Sequence, residues 1–206
     1  MIEEILKSEL RQLNASEAVI QELWSEVNFA YGSTSRHYHN ISHLDNMIEA
    51  LLPIKTEIQD WQTVIFSLVY HDFIYNPLRK DNEAKSAELA YTRLTRLNLA
   101  EPIKNKCKMQ ILATRDHQLS EDADTNYFTD ADLVILGAGV ENYLAYTTQI
   151  RREYNYFPDL LYRPGRRKVL HHFLEMDKIF KTKYFQEKYE AQARRNISLE
   201  LQSLLA

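Results

Sequence analysis

Tyr38-His39-Asn40-Ile41-Ser42-His43 and His71-Asp72, the latter closing the run Val64-Ile65-Phe66-Ser67-Leu68-Val69-Tyr70, are the stretches from which the chain is best read. The run is apolar with no polar face, which marks a helix buried on all sides. Asp60 is placed to cap it, and it is expected to end near Tyr75, ahead of Asn76-Pro77. His39 and His43 are four residues apart, so on one helix they would lie on the same face. That helix is expected to run to Leu52, with Leu44, Met47, Ile48 and Leu51 on its apolar side and Pro53 stopping it. Ionisable groups at the end of a buried helix are costly unless something pairs with them, and a metal ion would do so. Asp132, in Thr129-Asp130-Ala131-Asp132-Leu133, offers a further carboxylate.

Outward from these stretches the chain keeps helical spacing. Segments 2–13 and 16–30 repeat apolar residues every three or four positions. Asp81 is expected to cap a helix bearing Ala84, Ala87, Tyr91 and Leu94, and Pro102 to stand in the first turn of one reaching about Arg115. Polar residues 118–127 read as a loop, after which Thr129 or Asp130 would start a helix that Gly137 and Gly139 interrupt and 141–156 continue. Pro158 and Pro164-Gly165 read as a connection before helices over 166–180 and 182–203. With only 4 Gly and 5 Pro in 206 residues, turn-rich β folds are disfavoured and a single all-α bundle over 1–206 is expected.

Composition narrows the function. Hydrophobic residues make up 45% of the chain, enough for a sizeable core. The formal net charge of −4 and the absence of a long basic run argue against nucleic acid as a partner. No apolar run approaches the roughly 20 residues that span a bilayer. One cysteine, Cys107, cannot form an internal disulfide, and the acidic start lacks a signal peptide's basic region. A cytoplasmic protein without a membrane partner is expected; self-association is left open.

His43, His71, Asp72 and Asp132 together form a nitrogen–oxygen donor set. Such a set suits a divalent Mn, Fe, Co, Ni or Mg ion with positions left for water, whereas a closed structural zinc site would more often use cysteines. Asp72 could bridge to a second metal. His39, with an ordinary pKa of about 6.5, suits proton donation to a leaving oxygen.

The order His, His-Asp, Asp resembles the ligand order of the HD superfamily of metal-dependent phosphohydrolases. Tyr38-His39-Asn40-x-x-His43, His71-Asp72, Ile111-Leu112-Ala113-Thr114 and Asp132-Leu133 also resemble the core of cyclic-nucleotide phosphodiesterases. Those enzymes follow His-Asp with a further Asp-His, where this chain has Phe73-Ile74. The resemblance to the predicted metal-dependent HD phosphohydrolases covers roughly 20–200. It includes Arg36-His37-Tyr38-His39-Asn40, His71-Asp72-x-x-Tyr75, Asp81-Asn82-Glu83, Ser86-Ala87, Thr114-x-x-His117, Asp130-Ala131-Asp132-Leu133, Arg152-Glu153-Tyr154 and Ala193-Arg194-x-Asn196. It implies an HD-type helical domain holding one or two divalent metals at His43, His71, Asp72 and Asp132. It further implies hydrolysis of a small phosphorylated substrate, a nucleotide included, with His39 as the acid.

Several neighbours carry two readings. Glu83 either hydrogen-bonds water at the metal or is a carboxylate favoured by a helix N-terminus, and His117 either reaches the site or meets helix-end carbonyls. Arg36, Arg79 and Arg115 flank the motifs and would suit phosphate, or are solvated. Asp130 is expected to cap the helix that carries Asp132, and Arg166-Arg167-Lys168 to be a solvated helix start. The alternative to an enzyme is a metal-binding, ligand-sensing helical protein with little or no turnover.

Overall fold

The computed structural model describes residues 1–205, which are all-α, with no strand among them. None of the described helices is long and apolar enough to cross a membrane. The chain divides into two compact units, Met1–Thr129 and the residues from Asp130 onward.

The first unit contains α1 (Ile2–Gln12), α2 (Glu17–Tyr31), α3 (Ile41–Leu51), α4 (Trp61–Tyr70), α5 (Asn82–Arg96), α6 (Glu101–Ala113) and most of α7 (Ala123–Asp132). Its axis is α4, where every residue from Thr63 to Tyr70 is buried, with α1, α3, α5 and α6 packed around it. Removing a side chain such as Val64, Ile65, Phe66 or Leu68 from water contributes about 1.5–3 kcal/mol each, which makes this helix the natural core. Several of its polar groups are paired, although Trp61 Nε1 is buried without a hydrogen-bond partner. The Ser67 hydroxyl lies 2.9 Å from the Thr63 carbonyl and 2.6 Å from Gln110 Oε1, and the Tyr31 hydroxyl donates to the Val69 carbonyl at 2.9 Å.

Helix ends depart from the sequence-based expectations in ways that bear on the site. The helix of His43 does not include His39. Asn40 is its N-cap, accepting from the Ser42 amide at 2.9 Å and donating to the His37 carbonyl at 3.1 Å. An asparagine side chain that bonds neighbouring backbone favours a helix start over a helix interior. Similarly, α4 stops at Tyr70 rather than near Tyr75. The chain after it is clamped to the start of α5: the Ile74 amide donates to Ser86 Oγ at 3.0 Å, and Asn82 donates to the Asn76 carbonyl at 2.9 Å. Asp81 occupies the N-cap position of α5 without capping it, because Arg79 takes its carboxylate at 2.7 Å through two nitrogens.

The largest departure is α7. Residues 118–127 are not all loop: Asp122 accepts from the Thr125 amide at 2.9 Å and the helix begins at Ala123. Thr129 and Asp130 therefore lie near its end, not its start. Asp124, almost fully buried, accepts from the amides of Gln59 and Asp60 at 2.8 and 2.9 Å and from Lys106 Nζ at 2.7 Å, which fixes α7 to the turn before α4.

The second unit begins with the last turn of α7 and a 3-10 stretch, Val134–Gly137. It continues through α8 (Val140–Glu153), α9 (Asp159–Glu175), the short α10 (Lys183–Phe185), a π-helical stretch at Gln186–Glu190 and α11 (Ala191–Ser203). Pro164 and Gly165 lie inside α9 rather than marking a connection. Gly137 is required by packing, since a Cβ there would fall 2.6 Å from Tyr189 Cβ. Asn196 donates to the carbonyls of Leu136 and Ala138, both at 2.8 Å. Arg166, expected at a solvated helix start, is buried and forks onto Glu200 at 2.7 and 3.0 Å. Asp130 is no cap. It is fully buried and accepts from the amides of Lys181 and Thr182 at 2.7 and 2.8 Å and from the Thr182 hydroxyl at 2.8 Å. Burial pushes its carboxyl above the usual carboxylate range, and these donors pull the other way.

Candidate metal centre

His43 projects from the first turn of α3 and His71 sits at the C-cap of α4; both are buried. Their Nε2 atoms face each other at 3.3 Å. His71 Nδ1 lies 2.8 Å from the Leu68 carbonyl. A carbonyl can only accept, so Nδ1 carries a proton; in the neutral ring Nε2 then keeps its lone pair, which is the usual way a ligating histidine is held.

The carboxylate arrives from α7. Phe128, fully buried, packs edge-on against His71 with ring centroids 5.9 Å apart. Asp132 is four residues on in the same unbroken helix, hence one turn further along the same face. One ligand atom from each of His43, His71 and Asp132 lies within 4.8 Å of the others, a group that could hold a metal ion. The fit is chemical as well as geometric. Two imidazole nitrogens facing each other and one carboxylate are all Lewis bases, the donor types a first-row divalent ion takes.

Asp72 and His39 lie beside this group. Asp72 Oδ2 is 3.2 Å from His71 Nε2 and 3.9 Å from His39 Nε2. His39 reaches this place from the loop before α3, not from the helix, and its side chain keeps 20% exposure. Its ring packs on Tyr75 with centroids 4.4 Å apart and lies 5.8 Å from that of His43. A partly exposed imidazole beside a carboxylate can exchange a proton with a bound molecule.

The remaining sequence candidates fall in different places. Arg36 is buried, and its guanidinium is taken up by the backbone: Nη1 donates to the carbonyls of His39 at 3.2 Å and Asp72 at 2.7 Å, and Nη2 to Phe73 at 2.8 Å. Arg79 is exposed and bound to Asp81, and Arg115 is exposed at the end of α6. Glu83 is half-buried in the first turn of α5, where the helix dipole favours a carboxylate. His117 is buried just beyond α6 with φ of 48°, a left-handed conformation uncommon for any residue but glycine. Tyr75 and Phe128 were not foreseen as neighbours of the site. Tyr75 has a signal in its spacing after His71-Asp72, whereas nothing marks Phe128 among the 8 phenylalanines.

The chain matches no family model, no curated protein and no solved structure.

Proposed function

We propose that this chain is a metal-dependent phosphohydrolase of the HD type that cleaves a phosphoester of a small phosphorylated molecule, a nucleotide among the candidates. The observation that supports it most is the grouping of His43, His71 and Asp132, from three helices far apart in sequence, around one point. When bound there, a divalent ion supplies Lewis acidity toward a phosphoryl oxygen and a more acidic water. The chain's own residues do the rest. His71 is oriented through its Nδ1 bond to Leu68, so that Nε2 points inward. His39 delivers a proton to the departing oxygen from its place beside the Asp72 carboxylate, 3.9 Å away.

The test is turnover of a broad panel of alkyl and aryl phosphoesters and nucleotides, with Mn, Co, Ni or Mg supplied in turn. The reading expects hydrolysis of at least one class that stops with chelator and returns with metal. Metal bound tightly with no hydrolysis of any ester would contradict it, and would leave a metal-binding, ligand-sensing protein instead.

A further inference from the structure

A buried arginine ordinarily finds a carboxylate, because an unpaired buried cation is costly. Arg36 is buried, yet among the described residues no carboxylate pairs with it; its guanidinium is held by three backbone carbonyls and two aromatic faces. The rings are Tyr31 at 4.8 Å and Tyr75 at 5.3 Å from the guanidinium carbon. The carbonyls come from the two segments that carry the candidate acid and its carboxylate neighbour: His39 on one side, Asp72 and Phe73 on the other. The side chains of His39 and Asp72 approach only to 3.9 Å, beyond hydrogen-bond reach. Tyr75 is shared, since it also packs on the His39 ring. The guanidinium therefore joins the two segments through their backbones, and with them the bases of both side chains.

We propose that Arg36 is a positioning residue that fixes His39 opposite Asp72 at the edge of the metal centre, and that it does not bind the phosphate of the substrate. The proposal rests on the reading of His39 as proton donor. A planar fork with donors at fixed angles spans carbonyls on two segments; a lysine ammonium is a single point and does not.

The experiment compares Arg36→Ala and Arg36→Lys with the unaltered full chain, in two arms. In the first, His39 is followed by the Cε1–H signal of its imidazole in Mg-loaded protein, identified by its loss in His39→Gln. The proposal expects this signal to shift or broaden in both variants while those of His43 and His71 stay in place; an unchanged His39 signal overturns it. In the second, metal content should stay at the level of the unaltered protein. On an alkyl phosphoester kcat should fall about 10²-fold, as for a misplaced catalytic group. KM should change by less than about threefold. Added guanidinium should restore part of the rate of Arg36→Ala, and Arg36→Lys should remain slow. A KM raised about tenfold with kcat unchanged would instead make Arg36 a phosphate ligand. If no ester is hydrolysed by the unaltered protein, the enzyme reading fails alone, and the imidazole signals still decide the role of Arg36. Should Arg36→Ala not fold, Arg36→Lys, which keeps the charge, carries both arms.

Discussion

In the second unit Arg166 lays its fork on both oxygens of Glu200, the Tyr143 hydroxyl donates to the same carboxylate, and Tyr146 accepts from Arg166 at 3.2 Å. In the first unit His43 and His71 turn like atoms toward each other, Nε2 to Nε2 at 3.3 Å, with the Asp72 carboxylate 3.2 Å from His71 Nε2. Both clusters are buried and both are polar. The first described is closed: cation meets anion and each hydroxyl has its place. Burial opposes the charge of Arg166, but Tyr146 and the Glu200 carboxylate outweigh it and hold the guanidinium well above its ordinary pKa. The other brings nitrogen and oxygen donors of His43, His71 and Asp132 within 4.8 Å of one another, a group that could hold a metal ion.

The largest effect is expected at His39. His39→Ala should leave metal in place and slow an alkyl phosphoester by about 10²- to 10⁴-fold, as removal of a general acid does. The loss should shrink for a nitrophenyl ester, whose leaving group needs little protonation. Loss of metal together with activity would make His39 a ligand and dissolve the distinction between binding and proton donation.

Next is the closed cluster. Glu200→Ala leaves Arg166 buried without its carboxylate and should destabilise the fold by about 3–5 kcal/mol, measured by urea unfolding. Metal content under native conditions should not change. A cost below about 1 kcal/mol, the range of exposed ion pairs, would show that the network contributes little.

The smallest effect is expected at Cys107. It is fully buried, and burial pushes its thiol up to about 12, against the pull of the Ser67 hydroxyl. A thiol reagent at pH 8 should therefore label the unfolded chain and not the native one. Rapid native labelling that releases metal would place sulfur in the centre and contradict the nitrogen–oxygen donor set.

The all-helical fold was readable because its signals are local: helical spacing of apolar residues, few glycines, and an apolar run at α4 that only burial explains. His43 and His71 were readable for the same reason, each being set by its own helix. Spacing by four suggests one helix for His39 and His43, but the Asn40 side chain caps α3, which starts one residue later. The start of α7 is hidden by the polarity of residues 118–127, although Asp122 is an N-cap residue type and accepts from the Thr125 amide. A later start would make Asp130 a cap, whereas its partners are the amides of Lys181 and Thr182. The environments of Arg166 and Arg36 could not be read at all. Glu200 lies 34 positions from its arginine, and the carbonyls of Asp72 and Phe73 lie 36 and 37 positions from theirs. No local pattern records such pairings.

Metal content of the purified protein decides whether the group formed by His43, His71 and Asp132 holds an ion. Elemental analysis before and after metal is added back should find about one or two divalent ions per chain in the unaltered protein and a clear loss in His43→Ala and His71→Ala, each of which removes an imidazole from the donor set. Finding neither a first-row metal nor Mg after add-back, or full occupancy in His71→Ala, would contradict it.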